Sequence, residues 1–298
     1  GDGRLFAERY VERPRHIEVQ VLGDTHGNVV HLFERECSLQ RRFQKVVEEA
    51  PSPTLSADER ERICEVAAGI ARAAGYVGAG TVEFIYGRGE FYFLEMNTRI
   101  QVEHPVTEEI TGTDLIAEQL RVAAGEPLGY GQDALAINGH AIEVRVYAED
   151  AARDFAPTTG PLLTMIPPGG AGVRIDSGVE QGGAVTAAFD PMIAKLIVHA
   201  ANREAALDKA DAALADFVIL GCRTNIAYLR RLLADPDVRA GAIHTGLIGE
   251  KPELAADPAV DGATVRALLA AAALSARPVL DAANAVPPLH AAIGGWRN

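Results

Sequence analysis

Glu95, Asn97, Arg99, Gln101 and Glu103 fall at every second position of the stretch Glu90-Phe-Tyr-Phe-Leu-Glu-Met-Asn-Thr-Arg-Ile-Gln-Val-Glu-His-Pro105. Two carboxylates, two amides and a guanidinium could together grip a divalent metal, hold a polyanion and move a proton. The stretch opens with aromatic and branched residues that favour a pleated, half-buried surface, so it predicts an extended strand. Period two would then put all five polar side chains on one face. A plain edge strand also alternates polar residues. That does not explain an arginine framed by two glutamates in a chain only 23% charged.

The preceding run, Ala79 to Tyr86, reads as a partner strand joined through Gly87-Arg88-Gly89 in a hairpin. With the turn centred on Arg88, Glu83 falls opposite Phe93 and diagonal to Glu95, about 7–8 Å apart at Cα. Neighbouring carboxylates repel unless a cation lies between them. Oxygen ligands from Glu83, Glu95 and Asn97 would suit Mg²⁺ or Mn²⁺ rather than zinc. Two solvated glutamates on an exposed sheet face would give the same letters, and a slip of one residue would separate the pair. Both readings stand at this point.

These residues need elements to position them. His16–Leu22 and Val29–Glu36 alternate apolar and polar residues around Gly23-Asp-Thr-His-Gly-Asn28, which predicts strand, turn, strand. Ser56-Ala-Asp-Glu59 is a capping-box pattern. The helix after it carries Ile63, Val66, Ala67, Ile70 and Ala74 on one stripe and should stop at Gly75. Thr113 to Ala124 reads as another helix. A β-rich stretch follows from Asn138 to Ala200. Arg203–Phe217 reads as a helix with Leu207, Ala210, Leu214 and Phe217 inward, and Ile226–Leu233 as another, stopped before Pro236. Beyond Glu250 the chain turns Ala-rich, with Pro252, Pro258, Pro278, Pro287 and Pro288. Segment 251–298 reads as a linker plus the start of another element.

The 298 residues allow two domains and a tail, and 48% hydrophobic residues can bury a sizeable core. A net charge of −13 argues against a nucleic-acid or anionic-membrane surface. Cys37, Cys64 and Cys222 are far apart, which argues against a disulfide framework or zinc site. No apolar run is long enough to span a bilayer. His104, His140 and His199 share no ligand spacing and read as structural. Pro105 is expected to hold His104 extended and so aim Glu103. Pro168-Gly-Gly-Ala-Gly172 lacks a following Lys and reads as a turn cluster, not a phosphate loop.

Residues 95–108, Glu-Met-Asn-Thr-Arg-Ile-Gln-Val-Glu-His-Pro-Val-Thr-Glu, closely resemble the signature of biotin carboxylases, members of the ATP-grasp superfamily. Three further segments, Glu8–Glu18, Glu36–Pro51 and Gly139–Asp150, resemble family segments in the family's order, so the resemblance covers about residues 1–250. It implies an α+β fold: an ATP-grasp C-terminal lobe (antiparallel sheet with helices) over 1–137, then a biotin carboxylase C-terminal α+β domain over 138–250. Residues 251–298 would be an Ala/Pro-rich linker towards a carboxylase or carrier-interacting region. Complete relatives open with an N-terminal domain and a glycine-rich lid. This chain is therefore expected to be a fragment of a longer enzyme, inactive in isolation, with Leu5–Val11 at the family's hinge strand.

The activity the resemblance implies is ATP- and Mg-dependent carboxylation of biotin by bicarbonate through carboxyphosphate. That is the first half-reaction of an acyl-CoA carboxylase of acetyl-, propionyl- or methylcrotonyl-CoA type. By the same resemblance Glu83 and Glu95 hold Mg²⁺ or Mn²⁺ with Asn97 nearby. Arg99, Lys45, Gln101 and the Val102 backbone bind bicarbonate, Glu103 is the general base, and Arg145 stabilises the biotin enolate. Lys45 is counted with the catalytic residues. Glu8, Arg9 and Val11 match the adenine-facing hinge, and His16 and Gln40 match ribose or phosphate contacts, with Glu83 and Glu95 counted at the ATP site through the metal. Without the family match, His16, Gln40 and Lys45 would read as ordinary surface or packing residues. Phe43 stands where many relatives have His, cannot donate a hydrogen bond, and is left out of the site. Asp190-Pro-Met192 near Lys195 is given a packing role.

The expected partners are further copies of the chain, a biotin carboxyl carrier domain and a carboxyltransferase β subunit, with no nucleic acid and no membrane. The expected compartment is the cytoplasm, or the mitochondrial matrix. Pyruvate carboxylase shares these motifs. Another ATP-grasp ligase, such as a carbamoyl-phosphate synthetase half, would share the metal acids but not Arg99-Ile-Gln-Val-Glu103 with Arg145. An inactive assembly fragment is the third alternative.

Overall fold

In the computed structural model, residues 3–186, 188–257 and 259–275 are described. Eight strands form one antiparallel sheet: β1 (Arg15–Gly23), β2 (Val29–Arg41), β3 (Gln44–Ala50), β4 (Gly78–Gly87), β5 (Glu90–Asn97), β6 (His140–Tyr147), β7 (Val173–Ser177) and β8 (Met192–Ala200). Their order across the sheet is β7-β8-β6-β3-β2-β1-β4-β5. β6 hydrogen-bonds to β3, so strands from either side of residue 137 share one ladder.

The apolar alternation of β1 explains one layer. Ile17, Val19 and Val21 lie on one face and pack with Val82 and Phe84 of β4 against α1 (Ala57–Ala73). Ser56 and Glu59 form the capping box at its start. The buried stripe of α1 is Ile63, Cys64, Ala67, Ala68 and Ala71, whereas Val66 is 41% exposed, a correction to the predicted stripe. α4 (Arg203–Asp216) and α5 (Ile226–Ala234) pack a second core over β6 and β8, through Val144, Leu196, Leu207, Leu214 and Leu229.

The other face of β1 carries His16, Glu18 and Gln20, and these are buried rather than solvated. α2 (His104–Thr111) covers this side, packing Val106 and Ile110 against Ala50, Ala141 and Ile197. The expected extended His104 is therefore wrong: it opens a helix, with Pro105 in the first turn, where a missing N–H costs nothing. α3 (Leu115–Ala123) begins after the Asp114 cap, so the predicted helix from Thr113 starts two residues later. The described residues at Leu5–Val11 form no strand, contrary to expectation.

The chain forms two compact units, residues 1–256 and 257–298. The second unit contains the helix Gly262–Ser275. The rest of the Ala-rich segment, 276–298 with Pro278, Pro287 and Pro288, lies outside the described residues. No helix among the described residues is long and apolar enough to cross a membrane.

Candidate functional site

Four charged residues stand side by side across four strands. Arg35 of β2 pairs with Glu18 of β1, Glu18 with Glu83 of β4, and Glu83 with Glu95 of β5. Glu83 thus faces Glu95 directly, not diagonally as expected. The β4–β5 turn pairs Gly87 with Glu90, which alone would set Glu83 opposite Leu94. A bulge between Glu83 and Phe84 shifts the register by one residue and restores the carboxylate pair.

The five alternating residues do not share one strand. β5 ends at Asn97, the chain bends through Arg99, and Gln101–Glu103 turn into α2. The single extended face predicted for them is therefore wrong, yet the bend brings all five to one cleft. That cleft, about 340 Å³, is lined by Glu95, Asn97, Arg99, Gln101, Val102 and Glu103 with His16, Lys45, Glu83 and Arg145. Phe43, Gln44, Tyr147 and Asp190 complete it.

Glu103 lies at the bottom, 2% exposed. Lys45 Nζ donates to its Oε1 and Arg145 Nη2 donates to its Oε2 at 2.9 Å. Lys45 also donates to Glu18 and lies 3.6 Å from Glu83 Oε1. Burial pushes the Glu18 carboxyl up, but Lys45 and Arg35 outweigh it and bring it to about 2. Burial likewise raises Glu83, and the His16 ring and the Lys45 charge bring it down to about 2. Burial disfavours the Lys45 ammonium, yet its ring of carboxylates raises its pKa overall. The cleft thus alternates fixed charges of both signs.

At the rim, Asn97 Nδ2 donates to Glu83 Oε1 at 2.8 Å and to Glu95 Oε1 at 3.1 Å. Arg99 Nη2 donates to Asn97 Oδ1 at 3.3 Å. Arg99 is exposed and Glu103 buried, so the two ends of the motif sit at the mouth and the base.

Of the expected nucleotide residues, His16 Nε2 lies 2.7 Å from Glu83 Oε2, and Gln40 stands behind it, 2.7 Å from its Nδ1. Glu8, Arg9 and Val11 line a different hollow, with Ile85, Tyr92, Phe93 and Leu94, so the structure does not bring them into the cleft. Phe43, which the sequence does not place in the site, sits at the cleft mouth, 95% exposed. It and Arg42 form the β2–β3 turn, both at positive φ, 65° and 51°.

Sequence reasoning missed the layer beneath. Arg35 is fully buried and satisfies all five N–H donors. It donates to Glu18 Oε1 (2.6 Å), Gln20 Oε1 (2.7 Å), Thr107 Oγ1 (3.0 Å), Thr81 Oγ1 (3.2 Å) and Gln101 Oε1 (3.1 Å). Gln101 Nε2 in turn donates to Glu83 Oε1 at 2.6 Å. Lys195 Nζ donates to the Val102 carbonyl at 2.7 Å, so it props the turn that carries Glu103. The polar parity of β1 was the available signal, but a solvated face produces the same alternation.

The chain is similar to known proteins in sequence and in fold. Residues 1–130 match the family model "Carbamoyl-phosphate synthase L chain, ATP binding domain", and 143–250 match "Biotin carboxylase C-terminal domain". The alpha subunit of the rat (Rattus norvegicus) mitochondrial methylcrotonoyl-CoA carboxylase is 51% identical over 249 residues, which are 83% of this chain and 35% of that protein. A pyruvate carboxylase subunit from Methanothermobacter thermautotrophicus is 50% identical over 250 residues, 84% of this chain and 51% of that protein. The chain therefore spans about half or less of the length of these relatives. A crystal structure of the biotin carboxylase domain dimer of Hydrogenobacter thermophilus 2-oxoglutarate carboxylase, in complex with MgADP, ADP and bicarbonate, superposes with a TM-score of 0.82 at 46% identity, covering 85% of this chain and 56% of that one. Both family models in chain order, relatives at half identity and a shared fold lead to one conclusion: the chain belongs to the biotin carboxylase family of ATP-grasp proteins.

Proposed function

We propose that this protein carboxylates biotin, presented on a carrier domain, using bicarbonate and ATP. The observation that carries the reading is Glu103, a buried carboxylate held between Lys45 and Arg145 at the base of a cleft whose rim bears Arg99. A base in that position can take the bicarbonate proton, and fixed cations on either side stabilise the developing charge. Arg99 offers a planar fork that matches a small planar anion, with Lys45, Gln101 and the Val102 backbone around it. Arg145 would hold the biotin enolate oxygen. The solved relative bound to MgADP and bicarbonate supports the substrate pair.

The residues present fit a hard divalent cation. Glu83 and Glu95 are paired across two strands and joined by the Asn97 amide, an oxygen-rich donor set suited to Mg²⁺ or Mn²⁺. When bound there, the cation would offset phosphate charge. Losing a direct ligand should cost at least the roughly 10–100-fold in metal affinity that outer-shell partners cost. In the complete enzyme Glu95→Gln should therefore raise the Mg²⁺ concentration needed for half-maximal rate by tenfold or more, with partial recovery in Mn²⁺. An unchanged Mg²⁺ titration would refute the assignment.

The two arginines should separate. Lys keeps the charge but not the fork, and a lost bidentate contact to a buried anion is worth about 1.5–3 kcal/mol, roughly 10- to 150-fold. Arg99→Lys should weaken bicarbonate use and uncouple ATP cleavage from carboxylation. Arg145→Lys should leave bicarbonate-dependent ATP cleavage largely intact and slow carboxyl transfer to free biotin. Phosphate release and carboxybiotin, assayed separately, decide it; identical defects in both assays would mean one shared role.

On this reading 1–137 is the ATP-grasp lobe, 138–250 the family's C-terminal domain and 251–298 the approach to a carrier-interacting region. The protein would work with a second copy of itself, a biotin carboxyl carrier domain and a carboxyltransferase β subunit. An acyl-CoA is the proposed final acceptor, supported by the identity to the methylcrotonoyl-CoA carboxylase relative. The pyruvate carboxylase relative at 50% identity makes pyruvate the competing acceptor to assay beside it.

A further inference from the structure

Glu143 of β6 and Glu48 of β3 are direct cross-strand partners, and neither has exposed surface. Three of their four carboxylate oxygens, Glu48 Oε2 and both of Glu143, are buried without a hydrogen-bond partner. Glu48 Oε1 alone is engaged, accepting from Arg145 Nε at 2.6 Å. The charged groups around the pair are Arg145 on β6, Lys195 on β8, Lys45 on β3 and Glu103 ahead of α2. Glu143 is only partly offset: Lys195 is 4.0 Å away and is also committed to the Val102 carbonyl at 2.7 Å and to Asp176 at 3.4 Å, and burial outweighs the pull of Lys195 and Arg145. Two buried carboxylates facing each other cannot both stay ionised without a cation between them.

We propose that Glu48 and Glu143 share one proton, and that this acid–carboxylate pair is a positioning device that sets Arg145 against Glu103. Arg145 joins the two sites, donating through Nε to Glu48 and through Nη2 to Glu103 at 2.9 Å. With one proton on the pair, Glu48 presents a single negative charge to Arg145. With none, a second buried charge competes with Glu103 for the same guanidinium. Burial pushes Glu48 up to about 7 and Glu143 well above the usual range, in the direction this requires. The two titrate as a unit.

The test has two arms. The first rests on no functional reading: the infrared spectrum of the 298-residue chain at neutral pH, recorded as wild type minus E143Q. A difference spectrum is needed because burial also lifts Glu36 to about 7. A protonated-carboxyl C=O band that shifts in D₂O and is lost in E143Q is expected. Its absence, or failure of this neutral isostere to fold, overturns the shared proton. The second arm rests on the proposed biotin carboxylation and uses the complete enzyme. The wild-type rate should fall on the alkaline side as the pair loses its proton, and E143Q, neutral at every pH, should move that limb up by a pH unit or more. Coincident limbs with the band present would overturn the positioning role while leaving the shared proton standing.

Discussion

Glu103→Gln is expected to lower the rate of biotin carboxylation by about 10²- to 10⁴-fold, the usual contribution of a positioned general base. The substitution preserves shape and most packing, but an amide accepts no proton in this range. It also turns an NH₂ group towards either Lys45 or Arg145, both of which donate to the carboxylate in the native chain. Some loosening of those cations is therefore expected, and Glu103→Asp separates the effects. Asp keeps the proton acceptor one methylene shorter, so it should retain more activity than Gln. The measurement is carboxybiotin formation by the complete enzyme with nucleotide binding followed in parallel. A loss below tenfold with nucleotide binding intact would mean the proton is taken elsewhere, and Glu103 would be a structural counter-ion for its two cations.

The chemistry of this cleft was legible from residue types at 95–103, and the geometry was not. The alternation there predicts one strand face, but a chain can deliver alternate residues to one cleft by bending, as it does after Asn97. The Glu83–Glu95 pair was expected as a diagonal, and an unforeseen bulge makes it direct. The helix His104–Thr111 was hidden by Pro105, which reads as a breaker although the first helical turn tolerates it. The alternation of His16, Glu18 and Gln20 is equally that of a solvated face, because period two reports which residues share a side, not what covers that side. Only the β1–β2 register and the arrival of α2 show that this side is buried. Glu48 and Glu143 were invisible for the same reason: they lie 95 positions apart and meet only because β6 pairs with β3. The cores over α1 and α4 were the easiest to foresee, since apolar residues at helical spacing have few other uses.

The layer under the site should be as costly to disturb as the site itself. Replacing Arg35 by Leu should destabilise the protein by about 3–5 kcal/mol, the range for removing one partner from a buried ionic network. Arg35 spends every N–H on a buried acceptor, so Leu strands Glu18, Gln20, Thr81, Gln101 and Thr107 at once. Glu18 keeps Lys45 and stays partly compensated. The amides and hydroxyls have less to fall back on, and each unsatisfied buried polar group costs about 1–3 kcal/mol before relaxation. At roughly 2–4 °C per kcal/mol for a chain of this size, the melting temperature should drop by about 6–20 °C. Arg35→Lys should lie between, keeping the charge and losing the fork that spans two strands and α2. Thermal and urea unfolding of the three proteins decide the matter. A Leu variant within about 1 kcal/mol of wild type would show that the network is retained for the placement of Gln101 and Glu83 rather than for stability, and the loss would then appear in metal-dependent kinetics instead.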